Sequence, residues 1–359
     1  MFFKSNILTA IDIGFSSVKI AKFKKKKDKL VLLELGSNKV SPGSFKEGDI
    51  EDQALVATTL ERTFKDLNIK PEKVVTTISN DNIIIRNIEM PAMPEKELAE
   101  ALKWEIEDYL PFPAHQAALD YLIIEKGEEI IKLLLVAAHN NTLNSFMDVY
   151  ERAGVKPLVI NVQPMALLSI LQYQNKLDET AVIVDIGASG TRVVIGDSRN
   201  VYLSRTIDTG GYDFTKSIME SRDMEFMEAE KYKIENGLES DNKQSNQLDT
   251  PLSQLSMTGL SEGDVLSTLA ANLGKEISRS LEYYQMKFRG SNLKQIYLTG
   301  GGSRLKGLTG VINEEIELEI VPLNPFGEIE HDFPDEELVR AEFSIPIGLA
   351  VSEVVASES

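Results

Sequence analysis

The chain opens with an apolar strand pattern that ends in an acidic turn. In Leu8–Lys19 (LTAIDIGFSSVK), a predicted strand leads to Asp12, then to a tight turn at Gly14, and a second strand follows from Val18 to Phe23. Gly14 has no side chain, so the backbone can approach a ligand closely at this turn. An Asp-x-Gly turn between two strands is common, and alone it indicates little more than a hairpin.

The same pattern returns after the middle of the chain. In Ala181–Thr191 (AVIVDIGASGT), an apolar run is followed by Asp185 and Gly187, and a further strand is predicted at Val193–Ile195. A duplicated device of this kind predicts two similar lobes. Each lobe would present one acidic hairpin to a single bound triphosphate.

The remaining pattern predicts an α/β protein. Runs of strand length lie at Leu30–Leu35, Val74–Ile78, Ile83–Ile88, Tyr121–Glu125, Ile130–Ala138, Val155–Val162, Val201–Ile207 and Gln295–Thr299. Helical spacing predicts helices at Thr142–Ala153, Met165–Tyr173, Ala229–Lys233, Leu266–Phe288 and Pro346–Val355. Another helix is striped by Val56, Leu60, Phe64 and Leu67, with Asp49 as its expected N-cap. We expect a loop at Val321–Ile329 and a mobile surface segment at Leu238–Gly263.

Ile83–Gln163 predicts a compact inserted subdomain, because strand and helix patterns alternate there as strand–helix–strand–strand–helix–strand. Its first helix begins after Pro94 and is striped by Leu98, Leu102, Ile106, Tyr109 and Leu110. Trp104 lies off this stripe. We favour a second packing face for Trp104 over an exposed anchor for a partner.

Length and charge narrow the classes of function. A chain of 359 residues predicts two domains, and the absence of cysteine excludes disulfide and thiol chemistry. The formal charge of −18 argues against nucleic-acid and anionic-membrane surfaces as partners. The basic run Lys22–Lys29 is interpreted as a solvated hairpin tip, with a contact to acidic lipid or to a partner as the alternative. Apolar runs are too short to predict a membrane span.

The first hairpin carries candidate ligands for a phosphate and its metal ion. Asp12 could hold Mg²⁺ through water molecules, and the hydroxyl groups of Ser16 and Ser17 suit phosphate oxygens. Lys19 lies at a hairpin distance that could return its charge to a phosphate. Gly210-Gly211 is either a plain strand-to-helix turn or a phosphate-side loop; the sequence leaves both open.

A third glycine-rich motif makes the pattern specific. Leu298–Leu305 (LTGGGSRL) follows a predicted strand, and three such motifs in this order resemble the nucleotide site of the actin, hexokinase and heat-shock chaperone superfamily. Within it the chain resembles the PilM family of type IV pilus assembly proteins and, more distantly, FtsA. The residues that carry the PilM resemblance are Asn87–Pro94, Glu97–Phe112, Leu119–Tyr121, Leu134–Ala138, Ala153–Pro157, Asn161–Ala166 and Ile347–Ala350.

The resemblance implies the roles of the site residues, with ATP and Mg²⁺ as cofactors. Asp12 and Asp185 would flank Mg²⁺. The phosphates would lie between Gly14, Ser16, Ser17 and Lys19 on one side and Gly187, Ser189, Gly190 and Thr191 on the other, near Gly210 and Gly211. Glu230 and Lys233 would reach the ribose and adenine, unless they are surface helix charges. The base would lie on Gly300, Gly301, Gly302 and Ser303, under Arg304.

Gln163 matches the position that orients the attacking water in this superfamily. Because Gln is a poor base, the resemblance implies slow ATP hydrolysis or none. Gln163, Asp12 and Asp185 are therefore the candidate catalytic residues. No histidine lies near them in sequence, and each histidine is interpreted as a surface or loop residue rather than a ligand.

The resemblance also implies the architecture, an actin-like (ribonuclease H-like) two-lobed α/β fold with duplicated βββαβα cores and an inserted subdomain. The subdomains would be 1–82 with 164–180 and 343–359 (1A), 83–163 (1C), 181–213 with 293–342 (2A), and 214–292 (2B).

The implied function is a cytoplasmic ATP-binding scaffold that holds the N-terminal tail of a PilN-like membrane protein, and through it reaches the pilus machinery. The tail would lie in a groove or on a strand edge, for which Ile83–Ile88 and Tyr121–Glu125 are the candidates. The chain would reach the membrane only through this partner, and self-association is left open. The alternatives are an FtsA-like division or filament protein and a small-molecule kinase of the same fold.

Overall fold

The computed structural model describes residues 6–27, 29–46, 48–70, 74–78, 83–177, 179–238, 262–288, 292–333 and 341–356. The chain divides into two compact units. The first unit holds Met1–Thr180, Val194–Ser204 and Asn324–Ser359, and the second holds Ala181–Val193 and Arg205–Leu323. The segment predicted to be mobile, Leu238–Gly263, falls mainly on residues 239–261, which lie outside the described residues. The finer division into four subdomains stays a prediction.

Up to residue 177, strands and helices alternate much as the pattern predicts. The strands are β1 (Ile7–Ile13), β2 (Ser17–Lys26), β3 (Lys29–Lys39), β4 (Phe45–Lys46), β5 (Asp49–Ile50), β6 (Val74–Thr77), β7 (Ile84–Pro91), β8 (Ala117–Lys126), β9 (Ile130–His139) and β10 (Pro157–Asn161). The helices are α1 (Gln53–Asp66), α2 (Glu95–Glu105), α3 (Asn140–Arg152) and α4 (Gln163–Tyr173).

The first sheet has the strand order β10-β6-β1-β2-β3. Strands β10, β6 and β1 are parallel, whereas β1, β2 and β3 form an antiparallel meander. Because the carboxyl ends of parallel strands meet at one edge, the residues that follow β1, β6 and β10 lie on the same side of the sheet. This edge holds Asp12 and the start of α4.

Helices cover both faces of this sheet. On one face α1 and α3 share a core with β1 and β2, in which Ile11, Leu60, Phe146 and Tyr150 are buried. Asp52, not the predicted Asp49, caps α1, and its carboxylate accepts from Leu55 N at 2.9 Å. Asp49 lies in β5 instead.

Helix α4 packs against the last helix of the chain, α9 (Ser344–Val355). A Cβ atom at Gly348 would lie 2.2 Å from the carbonyl oxygen of Ala166, so only glycine allows this close approach of the two helices. Segments from both ends of the chain therefore build the first unit.

The inserted segment contributes a separate three-stranded sheet of order β7-β9-β8, whereas β10 joins the first sheet. Helix α2 packs on one face of the small sheet, where Leu98, Leu102 and Ile106 meet Ile88 and Leu133. Trp104 lies on the outer face of α2 and is 83% exposed. The packing interpretation that we favoured for Trp104 is therefore wrong, because nothing in the described subdomain covers that face. Tyr109 is also exposed, since α2 ends at Glu105 and Ile106–Tyr109 form a 3-10 turn.

The residues after Thr180 form a second five-stranded sheet, of order β13-β12-β11-β14-β15. Its strands are β11 (Ala181–Ile186), β12 (Thr191–Gly196), β13 (Val201–Ile207), β14 (Gln295–Thr299) and β15 (Glu319–Pro322), and its helices are α5 (Gly211–Arg222), α6 (Phe226–Asn236), α7 (Glu262–Lys287) and α8 (Leu308–Glu314). Strand β15 overlaps the segment predicted as a loop, which is a correction. It pairs in parallel with β14 as an edge strand, although Pro322 ends it. No helix within the described ranges is both long and apolar enough to span a bilayer.

Candidate nucleotide-binding site

The turn between β1 and β2 places an acidic and a basic side chain together. Asp12 and Lys19 are directly opposite in the β1–β2 register, and Lys19 Nζ lies 2.8 Å from Asp12 Oδ2. The turn is closed by Gly14 N, which donates to Ser17 O at 3.1 Å. A Cβ atom at position 14 would lie 3.4 Å from Lys19 Nζ. Glycine therefore leaves space beside this ammonium group. Ser17 is buried, and Ser16 is half-buried.

Two buried hydroxyl groups lie next to this turn, and sequence reasoning missed both. Thr76 Oγ1 donates to Ile11 O at 2.9 Å, and the Tyr150 hydroxyl is hydrogen-bonded to Thr76 Oγ1. Burial, and to a lesser degree the nearby Asp12 charge, raises the pKa of Tyr150, so its hydroxyl stays protonated. The only signal in the sequence was a pair of threonines at the end of an apolar strand.

Gln163 begins α4 directly after β10. The register pairs Asn161 with Thr77 on β6 and Thr76 with Ile11 on β1. Gln163 and Asp12 therefore belong to the same edge of the first sheet, as expected for a residue that orients a reactant near the first hairpin. Its catalytic role stays a prediction.

In the second unit, Asp185 near the end of β11 contacts the third predicted motif. Asp185 pairs with Thr299 of β14, and Gly300 follows with a φ of +87°. A Cβ atom at Gly300 would lie 2.3 Å from Asp185 Oδ1, and one at Gly302 would lie 2.5 Å from Ile186 Cγ2. These two glycines thus allow the loop to pack on β11. The sequence had instead suggested that glycines occur here to make room for the adenine base.

The outer residues of the same loop have no such packing role. Gly301 and Arg304 are exposed, while Ser303 is held by a hydrogen bond from its Oγ to Gly300 O at 2.7 Å. Bare backbone at Gly301 and the guanidinium of Arg304 are therefore the parts of this motif that remain accessible to a ligand.

The β11–β12 turn is bound to the start of α5. Gly211 N donates to Gly187 O at 2.9 Å, Tyr212 N to Ala188 O at 2.8 Å, and Gly210 N to the Asp213 carboxylate at 2.7 Å. A Cβ atom at Gly210 would lie 2.4 Å from Gly190 N.

The amide donors of this first helical turn are thus bonded within the unit, which favours the plain turn over a phosphate loop built from those donors. Thr191 is also buried, with its hydroxyl donating to Thr209 O at 2.7 Å, whereas Ser189 is exposed at the tip of the turn.

Glu230 and Lys233 connect α6 to α5. Lys233 is 8% exposed, and its ammonium lies within 2.8 Å of Gly211 O, of Thr215 Oγ1 and of Glu230 Oε2. The surface-charge interpretation is therefore wrong for Lys233. Burial, with the Glu230 charge as a second cause, raises the pKa of the neighbouring Tyr212 to about 12. The predicted contact of Glu230 and Lys233 with a ribose or a base stays a prediction.

Among the described residues, no group of three or more acidic or histidine side chains converges as a metal site. Asp12 and Asp185 lie in different units, and a carboxylate is a type of ligand that Mg²⁺ accepts while it keeps waters and phosphate oxygens. Their role as Mg²⁺ ligands stays a prediction.

Comparison with solved structures defines the class of protein. A chain of the "PilM-PilN type IV pilus biogenesis complex" is similar at a TM-score of 0.82, with 27% identity, over 97% of this chain and 98% of that chain. MreB5 of Spiroplasma citri bound to AMPPNP is similar at a TM-score of 0.52, with 16% identity, over 99% and 98% of the two chains. The predicted actin-like ATPase fold is confirmed.

The sequence comparisons give the family. The chain belongs to the type IV pilus assembly protein PilM family, whose profile matches residues 10–353. It is also 21% identical over 259 residues to the cell division protein FtsA of Bacillus subtilis (strain 168), a match that covers 65% of this chain. The chain spans 58% of the length of that relative. Both the PilM resemblance and the more distant FtsA resemblance are thus confirmed.

Proposed function

We propose that this protein is an ATP-binding scaffold of a type IV pilus assembly platform. The observation that carries the proposal is the structural similarity to a chain of a PilM–PilN complex over 97% of this chain. The expected place is the inner face of the cell membrane, reached through a PilN-like partner.

Nucleotide binding would use the two acidic hairpins. In the first unit, the turn at Gly14 presents Asp12 and Lys19, and in the second unit Asp185 lies against the loop of Gly300. A protein of this fold is solved with an ATP analogue. Bound ATP would supply phosphate oxygens to Mg²⁺, and this chain would contribute the carboxylates and the Lys19 charge. Gln163 can orient a water but cannot deprotonate it efficiently, so slow turnover or none is expected.

Thermal-shift measurements with ATP and Mg²⁺ test the nucleotide site. A ligand that binds only the folded state raises its stability by about 2.7 kcal/mol at a hundredfold excess over Kd. We expect a shift for the wild type and none for Asp185→Ala. The control is Asp208→Ala, because Asp208 is an exposed carboxylate of the same unit. A wild type that does not respond to the nucleotide refutes this part of the proposal.

The partner would dock on the inserted subdomain. Strands β7 and β8 are the two outer strands of its sheet, and they include both predicted docking edges, Ile83–Ile88 in part and Tyr121–Glu125. An extended tail can add to such an edge through backbone hydrogen bonds. The subdomain also exposes two apolar side chains, Trp104 at 83% and Leu122 at 46%.

These two side chains lie on opposite sides of the subdomain and can be tested separately. Trp104 is on the outer face of α2, whereas Leu122 alternates with Tyr121 and Ile123, which pack towards α2. We propose the sheet side, because a strand added at β8 would lie beside Leu122. Leu122→Ser should then weaken binding of a synthetic PilN tail at least tenfold by fluorescence anisotropy, and Trp104→Ala should not. The reverse result would place the tail on α2, and no binding by the wild type would refute the partner.

A further inference from the structure

The turn between β2 and β3 is a basic tip on an acidic protein. The segment Lys22–Lys29 holds six lysines, while the whole chain has a formal charge of −18. The ladder between β2 and β3 continues to the pair Lys26–Lys29, and Lys27 occupies the turn with a φ of +55°. The two strands are therefore paired up to the residues that flank the turn.

The tip extends beyond the core of the first unit. Phe23 is the last fully buried residue of β2 before the turn and Leu30 the first of β3 after it, whereas Lys24, Lys26, Lys27 and Lys29 are exposed. The register pairs Leu30 with Lys25, so the pair Lys26–Lys29 and the turn lie beyond the last buried apolar side chain. The exposed ammonium groups at this end of the sheet can therefore contact an external surface.

Two carboxylates lie near the base of the tip. Lys26 Nζ is 3.2 Å from Glu330 Oε2, and both side chains are about half exposed. Glu353 of α9 lies close enough to Lys25 for that charge to oppose the raised pKa that burial gives this carboxyl. Together with Asp28 of the same run, these two carboxylates offset three of the six lysine charges, so the hairpin keeps a net positive charge.

We propose that this basic tip binds the anionic phospholipid headgroups of a membrane surface. The type of side chain favours lipid over other anionic partners. All six cations are lysines, which act as hydrated point charges on flexible stems and therefore suit mobile headgroups that offer no fixed geometry. Phe23, the one aromatic residue in the run, is fully buried and cannot stack on a base.

The position of the tip within the sheet makes this contact compatible with the nucleotide turn. In the β1–β2 register, Ile7 is opposite Lys24 and Ile13 is opposite Val18. The tip is therefore at the amino end of β1, and the turn with Asp12 and Gly14 follows the carboxyl half of that strand. A membrane bound at the tip would therefore not cover the acidic hairpin, which lies at the opposite end of β1. The inference does not require that ATP or PilN binds.

Co-sedimentation of the full chain with vesicles tests the proposal. We expect the wild type to pellet with phosphatidylglycerol–phosphatidylcholine vesicles, less so at high salt, and not with phosphatidylcholine alone. Replacing Lys24, Lys26, Lys27 and Lys29 by Gln should lower the vesicle affinity more than a hundredfold, since each lysine contributes roughly fivefold. The control replaces four exposed lysines elsewhere, Lys96, Lys103, Lys126 and Lys156, by Gln. It carries the same change in net charge and should bind like the wild type.

Three results would overturn the inference. The wild type could ignore the anionic vesicles, or the two quadruple variants could lose affinity equally, which would indicate a general charge effect. The tip could also bind a soluble polyanion such as polyglutamate while ignoring vesicles, which would assign it to an acidic protein. Circular dichroism of the tip variant confirms that it folds, and excess inorganic phosphate should not displace the wild type from the vesicles.

Discussion

The ammonium group of Lys19 lies 2.8 Å from an Asp12 carboxylate oxygen, and the two side chains are 12% and 4% exposed. The pair joins the strands on either side of the first acidic turn. Asp12 would otherwise be a nearly buried charge at the edge of a sheet. The basic residue of the predicted phosphate site therefore also has a structural role.

Removing the ammonium should destabilise the fold. Lys19→Met keeps most of the side-chain length but leaves the Asp12 charge without this partner, and breaking a buried pair from one side costs about 3 kcal/mol or more. Urea unfolding followed by far-UV circular dichroism measures the loss. The double variant Asp12→Asn with Lys19→Met removes both charges and should recover most of the stability. A single variant as stable as the wild type would show that the pair contributes little.

Two glycines of the second unit should respond in opposite ways to alanine. Gly300 has a positive φ, and its Cβ atom would lie 2.3 Å from Asp185 Oδ1, so Gly300→Ala should cost about 3 kcal/mol or more. Gly310 lies within helix α8, and its Cβ atom would meet nothing within 4 Å. Gly310→Ala should raise stability by about 0.5 to 1 kcal/mol. Equal effects at the two positions would contradict the loop packing.

Neighbouring threonines of β6 make a second matched pair. Thr76 Oγ1 bonds with Ile11 O and with the Tyr150 hydroxyl, so Thr76→Val should cost about 1 to 3 kcal/mol by leaving buried polar groups unpaired. The hydroxyl of Thr77 is buried and has no hydrogen-bond partner in the described part of the chain. Thr77→Val should be neutral or slightly stabilising, and chemical unfolding distinguishes the two variants. A large loss at Thr77 would reveal a partner for its hydroxyl.

Lys233 should matter far more than its neighbour on the same helix. Lys233→Met deletes the ammonium that bridges Gly211, Thr215 and Glu230 and should lower the free energy of unfolding by about 3 kcal/mol. Lys231 is 76% exposed at its side chain and lies 3.9 Å from Glu235, so Lys231→Met should stay within about 0.5 kcal/mol. Comparable losses would mean that Lys233 is not a clamp between α5 and α6.

The acidic turns could be predicted from the sequence because they are local features. Asp12 and Asp185 each end an apolar run and are followed by glycine within two residues, so a short window contains the whole signal. The family resemblance then added what spacing alone cannot provide, including the link from Gln163 to the first hairpin.

The missed features depend on contacts between distant parts of the chain. The burial of Lys233 is set by α5, and the exposure of Trp104 by the absence of any described element over α2. Strand β15 forms only because β14 offers an edge, and its own residues, EIVP, end in a proline. At α1 the choice between Asp49 and Asp52 as the N-cap depended on where the helix begins. Helix boundaries are the features that a sequence pattern predicts least accurately.

Gly348 has a consequence for how the protein is made. The close approach of Gly348 to Ala166 allows α9 to pack on α4. Helix α9 is synthesised long after the strands of the first sheet. During translation, the face of α4 that packs on α9 stays uncovered until Gly348, 182 residues after Ala166, has been made. A nascent chain stalled before that point would expose this apolar face, which is the kind of surface that chaperones and proteases bind.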